Sequence, residues 1–140
     1  VNIEFYNEDV VLPHLDTERV KKWLLFIAGK HEKEVGEISY IFCSDSYLLE
    51  VNRQYLDHDY LTDIITFDYT EENTVSGDVF ISTDRVAENA VEFNVSYDEE
   101  LLRVISHGIL HLIGFNDKNE ADQEVMTQKE NESILDYHNI

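Results

Sequence analysis

The chain has 140 residues, 43% of them hydrophobic, which is enough to build the core of one ordinary domain spanning 1–140 and argues against disorder. Thirty acidic residues against 10 Lys and Arg give a formal net charge of -20, a balance that disfavours general nucleic-acid binding and draws in divalent cations. The lone Cys43 excludes an intramolecular disulfide and a Cys-rich zinc site, no apolar run nears the ~20 residues that span a bilayer, and VNIEFYNEDV has no leader pattern, so the expectation is a cytoplasmic protein with no membrane partner.

Ile3–Asn7 alternates and reads as an edge strand. Asp16 or Thr17 caps a helix whose apolar positions Val20, Trp23, Leu24, Ile27 and Ala28 keep helical spacing. Gly36 punctuates, and Glu37–Ser44 alternates as a second strand. A short helix follows, capped by Ser44 or Asp45, then the polar turn DHDYLTD. Ile64–Tyr69 is β-branched and aromatic, hence a strand. After the loop EENTVSG, Asp78–Thr83 is another, and the two pair as an antiparallel hairpin.

From Asp84 onward the pattern is helical throughout, with three segments. Ser96 caps the second, and Asp98 to Glu100 sit at its positive end. The order is βαβαββααα, and the fold class is α+β, a mixed four-stranded sheet with helices packed on it. Trp23, Phe5, Phe42, Phe67 and Phe80 read as core, and Cys43 as a small buried apolar residue.

The chemistry concentrates in HGILHLIGFND, His107 to Asp117. On a wheel of ~100° per residue, His107 and His111 share a face roughly opposite Leu102, Ile105, Ile109 and Leu112. Such a pair can direct two imidazoles at one ion, but two nitrogens alone bind zinc weakly. Gly114 accepts the left-handed conformation that ends a helix. A reversal there carries the chain back over the histidines, and Asp117 then comes within reach as a third, carboxylate ligand. Three protein ligands and an open position describe a catalytic zinc site. The other reading is two solvated histidines beside a capping glycine.

The spacing H-x3-H-x2-G-x2-D is similar to the long zinc motif of metzincin proteases, but Gly108 stands where those enzymes carry the general-base glutamate. The closer resemblance is to the YbeY family, with its signature H-G-x-L-H-L-x-G-[YF]-D-H. His107, Gly108, Leu110, His111, Leu112, Gly114 and Phe115 are in register with it. Val51–Tyr69 resembles the family's N-R-x-Y…T-[DN]-V-L-S-F segment, and Ser76–Ser82 its G-D-I-x-I strand. The likeness runs from Val51 to about Glu130 and departs at two places. The closing Asp-His is Asn116-Asp117 here, and the arginine after the upstream tyrosine is Leu56.

The resemblance implies a metal-dependent endoribonuclease of single-stranded RNA, acting in small-subunit ribosomal RNA maturation beside small-subunit assembly components. The metal would be one Zn2+ on His107, His111 and Asp117, with Ni2+ the other ion these donors suit. Its bound water, or a ribose 2′-hydroxyl, would attack the phosphodiester. Arg53, Thr62, Asp63 and Thr66 are candidates for the cleft, Arg53 as a substitute for the missing arginine, while for Thr62, Asp63 and Thr66 a strand cap or surface hydrogen bond is the favoured reading. His58 and His138 are reserve ligands, while His14 and His31 are expected in solvent. Two further readings stay open: a ribosome-assembly binding factor with a structural or vestigial metal, and a metal-dependent hydrolase of another substrate.

Overall fold

The computed structural model describes residues 1–140. Strand β1 (Asn2–Asn7) leads into helix α1 (Thr17–Lys30), and β2 (Glu34–Cys43) into α2 (Asp45–Leu56). Strands β3 (Ile64–Asp68) and β4 (Thr74–Ser82) are followed by α3 (Thr83–Glu92), α4 (Tyr97–Ile113) and α5 (Glu120–Asn139). The sheet order is β1-β2-β4-β3. β1 and β4 lie parallel to β2, and β3 closes the far edge antiparallel to β4. The mixed α+β architecture and its element order are those expected from the periodicities.

Two boundaries differ. β2 begins at Glu34, so Gly36 lies inside the strand, at an irregularity in the β2–β4 register between Val35 and Ile38. A side chain at Gly36 would run into Ser76 Oγ. β4 likewise begins at Thr74, within the segment read as a loop, because the hairpin turn is tighter and Glu71 bridges Thr74.

One face of the sheet carries the main core. Trp23, Leu24 and Ile27 of α1 pack there with Leu101, Ile105 and Ile109 of α4 and Met126 and Ile134 of α5. Helix α2 covers the other face, setting Leu48 and Val51 on Cys43 and Ile65. Helices on both faces explain why the central β2 is apolar almost without alternation towards its end. Phe42 is fully buried, whereas Phe5, Phe67 and Phe80 are only half-buried at the margins. The Tyr40 hydroxyl donates to the Ile105 carbonyl (2.8 Å), and Trp23 Nε1 donates to the Ser133 carbonyl (2.5 Å). These bonds satisfy the polar tips of two deeply buried rings.

Two glycines set how closely α4 approaches the sheet. A Cβ on Gly108 would lie 2.8 Å from Val79 Cγ1, and one on Gly77 would lie 2.8 Å from Leu112 Cδ2. Gly108 is thus where the helix rests on β4. Its neighbours His107 and His111 are carried to the rim of that contact, over the start of β3.

Candidate metal centre

The Ser96 hydroxyl accepts from the Glu99 backbone N–H and starts α4 as expected. The helix ends at Gly114, with φ +127° and ψ 5°, a conformation that L side chains rarely adopt. The Gly114 and Phe115 N–H groups both donate to the Leu110 carbonyl. Phe115 then packs against the main core and meets the His31 ring edge-on at 5.2 Å. His31 is therefore half-buried rather than solvated. Gln123 of α5 donates to the Asp117 carbonyl (3.0 Å) and holds the returning loop.

The reversal brings Asp117 back onto the histidine face. Its Oδ2 lies 3.3 Å from His107 Nε2 and 3.4 Å from His111 Nε2. All three ligand atoms fall within 4.8 Å of one another. Donors placed ~2.1 Å from a common tetrahedral ion stand ~3.4 Å apart, so these separations suit a single zinc-sized cation. Two imidazole nitrogens and one carboxylate oxygen are also a donor set that such an ion accepts.

Glu130 of α5 completes the arrangement, and sequence reasoning passed over it. His107 Nδ1–H donates to Glu130 Oε2 (2.5 Å), while Arg103 Nη1 donates to Glu130 Oε1 (3.0 Å). A carboxylate can only accept, so the neutral ring carries its proton on Nδ1, which leaves Nε2, on the Asp117 side, as the nitrogen available to an ion. Burial by itself lowers the pKa of His107. The Glu130 bond, with the charges of Glu130, Asp117 and Asp63, outweighs it and raises the net value. For His111 burial and the neighbouring His107 prevail over Asp117, and the pKa falls. The signal for Glu130 was its place in the inward stripe Met126, Glu130, Ser133 and Ile134 of α5. That stripe mixes polar and apolar residues too evenly for periodicity to pick out.

The three side chains open into a cleft of about 430 Å³. Thr62, Asp63 and Thr66 line it, together with Leu56, His58 and Tyr60. Burial pushes the Asp63 carboxyl upward, and the charges of Glu130 and Asp117 add to that against the opposing His107. Thr62 Oγ1 also donates to the Ile64 carbonyl at 3.4 Å, a strand-entry bond. Arg53 does not line the cleft. Its guanidinium is paired with Asp59 (2.6 Å) and Glu50 (3.7 Å) on the exposed side of α2. Asn52 and Leu56 of the same helix reach the lining, whereas Arg53 does not.

His138 bonds to Glu99 (2.7 Å) and lies outside the cleft lining, so it is no reserve ligand. His58 reaches the cleft, but the three ligand atoms that converge are those of His107, His111 and Asp117. Glu100, in the first turn of α4, is buried, only 4% exposed. It stands seven residues before His107, two helical turns back on the same face. Burial pushes its carboxyl up to about 7.

The profile of the endoribonuclease YbeY family matches residues 2–138. An endoribonuclease YbeY of Parabacteroides distasonis is 54% identical over 132 residues, 94% of this chain and 93% of that one. The Flavobacterium johnsoniae endoribonuclease YbeY is 54% identical over 125 residues, 89% of this chain and 90% of the other. The solution structure of TM1509 from Thermotoga maritima superposes with a TM-score of 0.68 at 32% identity, covering 96% of this chain and 88% of that one. The match reaches well upstream of Val51, through the whole sheet, and the chain belongs to the endoribonuclease YbeY family.

Proposed function

We propose that this chain, acting as one domain, is a metal-dependent endoribonuclease of single-stranded RNA. The observation that carries the reading is the convergence of His107, His111 and Asp117 at ion-sized separations, on a chain of this family. His107, His111 and Asp117 would hold one Zn2+, with Ni2+ the other ion that suits them. When bound, such an ion supplies Lewis acidity, acidifying water and withdrawing charge from a phosphoryl oxygen. Glu130 fixes the His107 ring through Nδ1 and keeps Nε2 free. Asp63, with its raised pKa, is the protein group placed to hold a proton inside the cleft. Its carbonyl accepts from the Ser82 N–H, which ties it to the sheet.

The proposed biological setting is small-subunit ribosomal RNA maturation in the cytoplasm, beside small-subunit assembly components. No helix is long and apolar enough to cross a membrane. A second reading, an assembly factor whose metal is structural, draws on one observation: no lysine or arginine lines the cleft. One experiment separates the two. Zinc-loaded protein and its Asp117→Ala variant are incubated with a single-stranded oligoribonucleotide, and products are resolved by length. Cleavage by the first alone is expected, and a 2′,3′-cyclic end would assign attack to the ribose 2′-hydroxyl. Equal cleavage by both, or none by either, sinks the nuclease reading.

A further inference from the structure

The cleft beside the three ligand side chains has an unusual wall. All 10 lysines and arginines of this chain lie outside its lining, and the net charge is -20. A polyanion seated there receives no ion pair from the wall. What the wall offers instead is aromatic surface. The rings of His58 and Tyr60 stack on one another, with centroids 5.2 Å apart and planes 24° from parallel. Both side chains are exposed, Tyr60 by 56% of its surface. Both also line the same cleft as His107, His111 and Asp117.

The stack is held in place. Asp57 ends α2 in the left-handed conformation, with φ 54°. The N–H groups of Asp57 and His58 both donate to the Asn52 carbonyl. The Asn52 side chain, itself 1% exposed, donates from Nδ2 to the Tyr60 carbonyl (3.0 Å). The Tyr60 hydroxyl and His58 Nδ1 lie 3.1 Å apart, which fixes one ring against the other. One buried asparagine thus holds two exposed aromatic rings at the mouth of the cleft. Exposed aromatic area anchored by a buried side chain beside His107, His111 and Asp117 is a surface suited to being covered.

We propose that the His58–Tyr60 stack is a platform for one unpaired nucleobase of the RNA, next to the phosphodiester presented to the triad. The inference rests on the nuclease reading and deepens it. A ring face binds any base by stacking, needs no positive charge, and rejects a base already paired inside a duplex. The preference for single strands then comes from the platform, and binding should depend little on salt because few phosphates are neutralised.

The test uses the full chain and two substrates: a single-stranded oligoribonucleotide, and the same oligomer carrying one abasic site beside the cleaved bond. Binding is followed by anisotropy on metal-free protein, and cleavage with zinc added. Tyr60→Ala is expected to weaken binding and raise KM about tenfold, in the range for loss of one stacked base, with kcat and zinc affinity little changed. Tyr60→Phe should restore most of the loss. On the abasic oligomer, wild type and Tyr60→Ala should bind alike. Unchanged zinc affinity and melting temperature show that the variants are folded. If wild type cleaves but Tyr60→Ala and His58→Ala keep Kd and KM within twofold, the platform is refuted and the nuclease reading stands. If wild type binds through the platform but never cleaves, the nuclease reading fails alone.

Discussion

Glu130 Oε2 lies 2.5 Å from Nδ1 of His107, and this contact between α5 and α4 sets which nitrogen of His107 faces Asp117. A carboxylate behind a ligating imidazole fixes the tautomer and raises ligand basicity. Glu130→Gln keeps the shape and removes the charge. It should weaken zinc affinity by about 10- to 100-fold, measured by competition with a coloured chelator. An affinity within threefold of wild type would show that Glu130 serves only to pair Arg103.

Asp117 is the proposed ligand that stands where the resembled family signature has histidine. Zinc at a hundred times its Kd should stabilise the wild-type fold by about 3 kcal/mol. That rise in melting temperature should vanish in Asp117→Ala and survive in Asp117→His, where a nitrogen donor replaces the oxygen. Persistence of the full rise in Asp117→Ala would place the ion elsewhere.

The two glycines of HGILHLIG fail for different reasons. Gly108→Ala pushes a methyl towards Val79 and should cost about 1–3 kcal/mol by overpacking. Gly114→Ala meets no neighbour but forces a side chain to φ +127°, at a cost of about 1–3 kcal/mol. Only the second should also weaken zinc binding beyond its effect on stability, because Asp117 is delivered by that turn. Urea unfolding with and without zinc separates the two costs.

Glu100 makes stability depend on pH. Its folded carboxyl titrates at about 7 against 4.5 in the free side chain. Between these values the unfolded chain has released a proton that the folded chain still holds. Stability therefore falls as pH rises from 4.5 to 7 and then levels off. In chelator-treated protein, Glu100→Gln should be nearly neutral at pH 4.5 and stabilising by about 2 kcal/mol at pH 8. The same difference at both pH values would mean that the carboxyl is hydrated in the fold.

Arg53 gives a prediction of no effect. Its ion pairs with Asp59 and Glu50 are half exposed, and such pairs contribute little. Arg53→Ala should leave the melting temperature and RNA binding unchanged. A tenfold loss of RNA affinity would return it to the cleft.

Local sequence determined much of this protein. The period of 3.6 in α1 and α4, the β-branched and aromatic run of β3 and the Ser96 cap are nearest-neighbour effects, and they are legible because each segment carries its own preference. His107, His111, Gly114 and Asp117 fall within eleven residues, so helix geometry and one glycine were enough to bring three donors together. Tertiary structure decided everything that depends on which face meets which. Glu130 reaches His107 across 23 residues of chain. Glu100 is buried because α4 is packed on several sides at once. Arg53 is turned outward by the phase of α2, and Asn52 sets His58 and Tyr60 at the cleft. Those placements follow from packing between elements distant in sequence, a free energy that no single segment encodes.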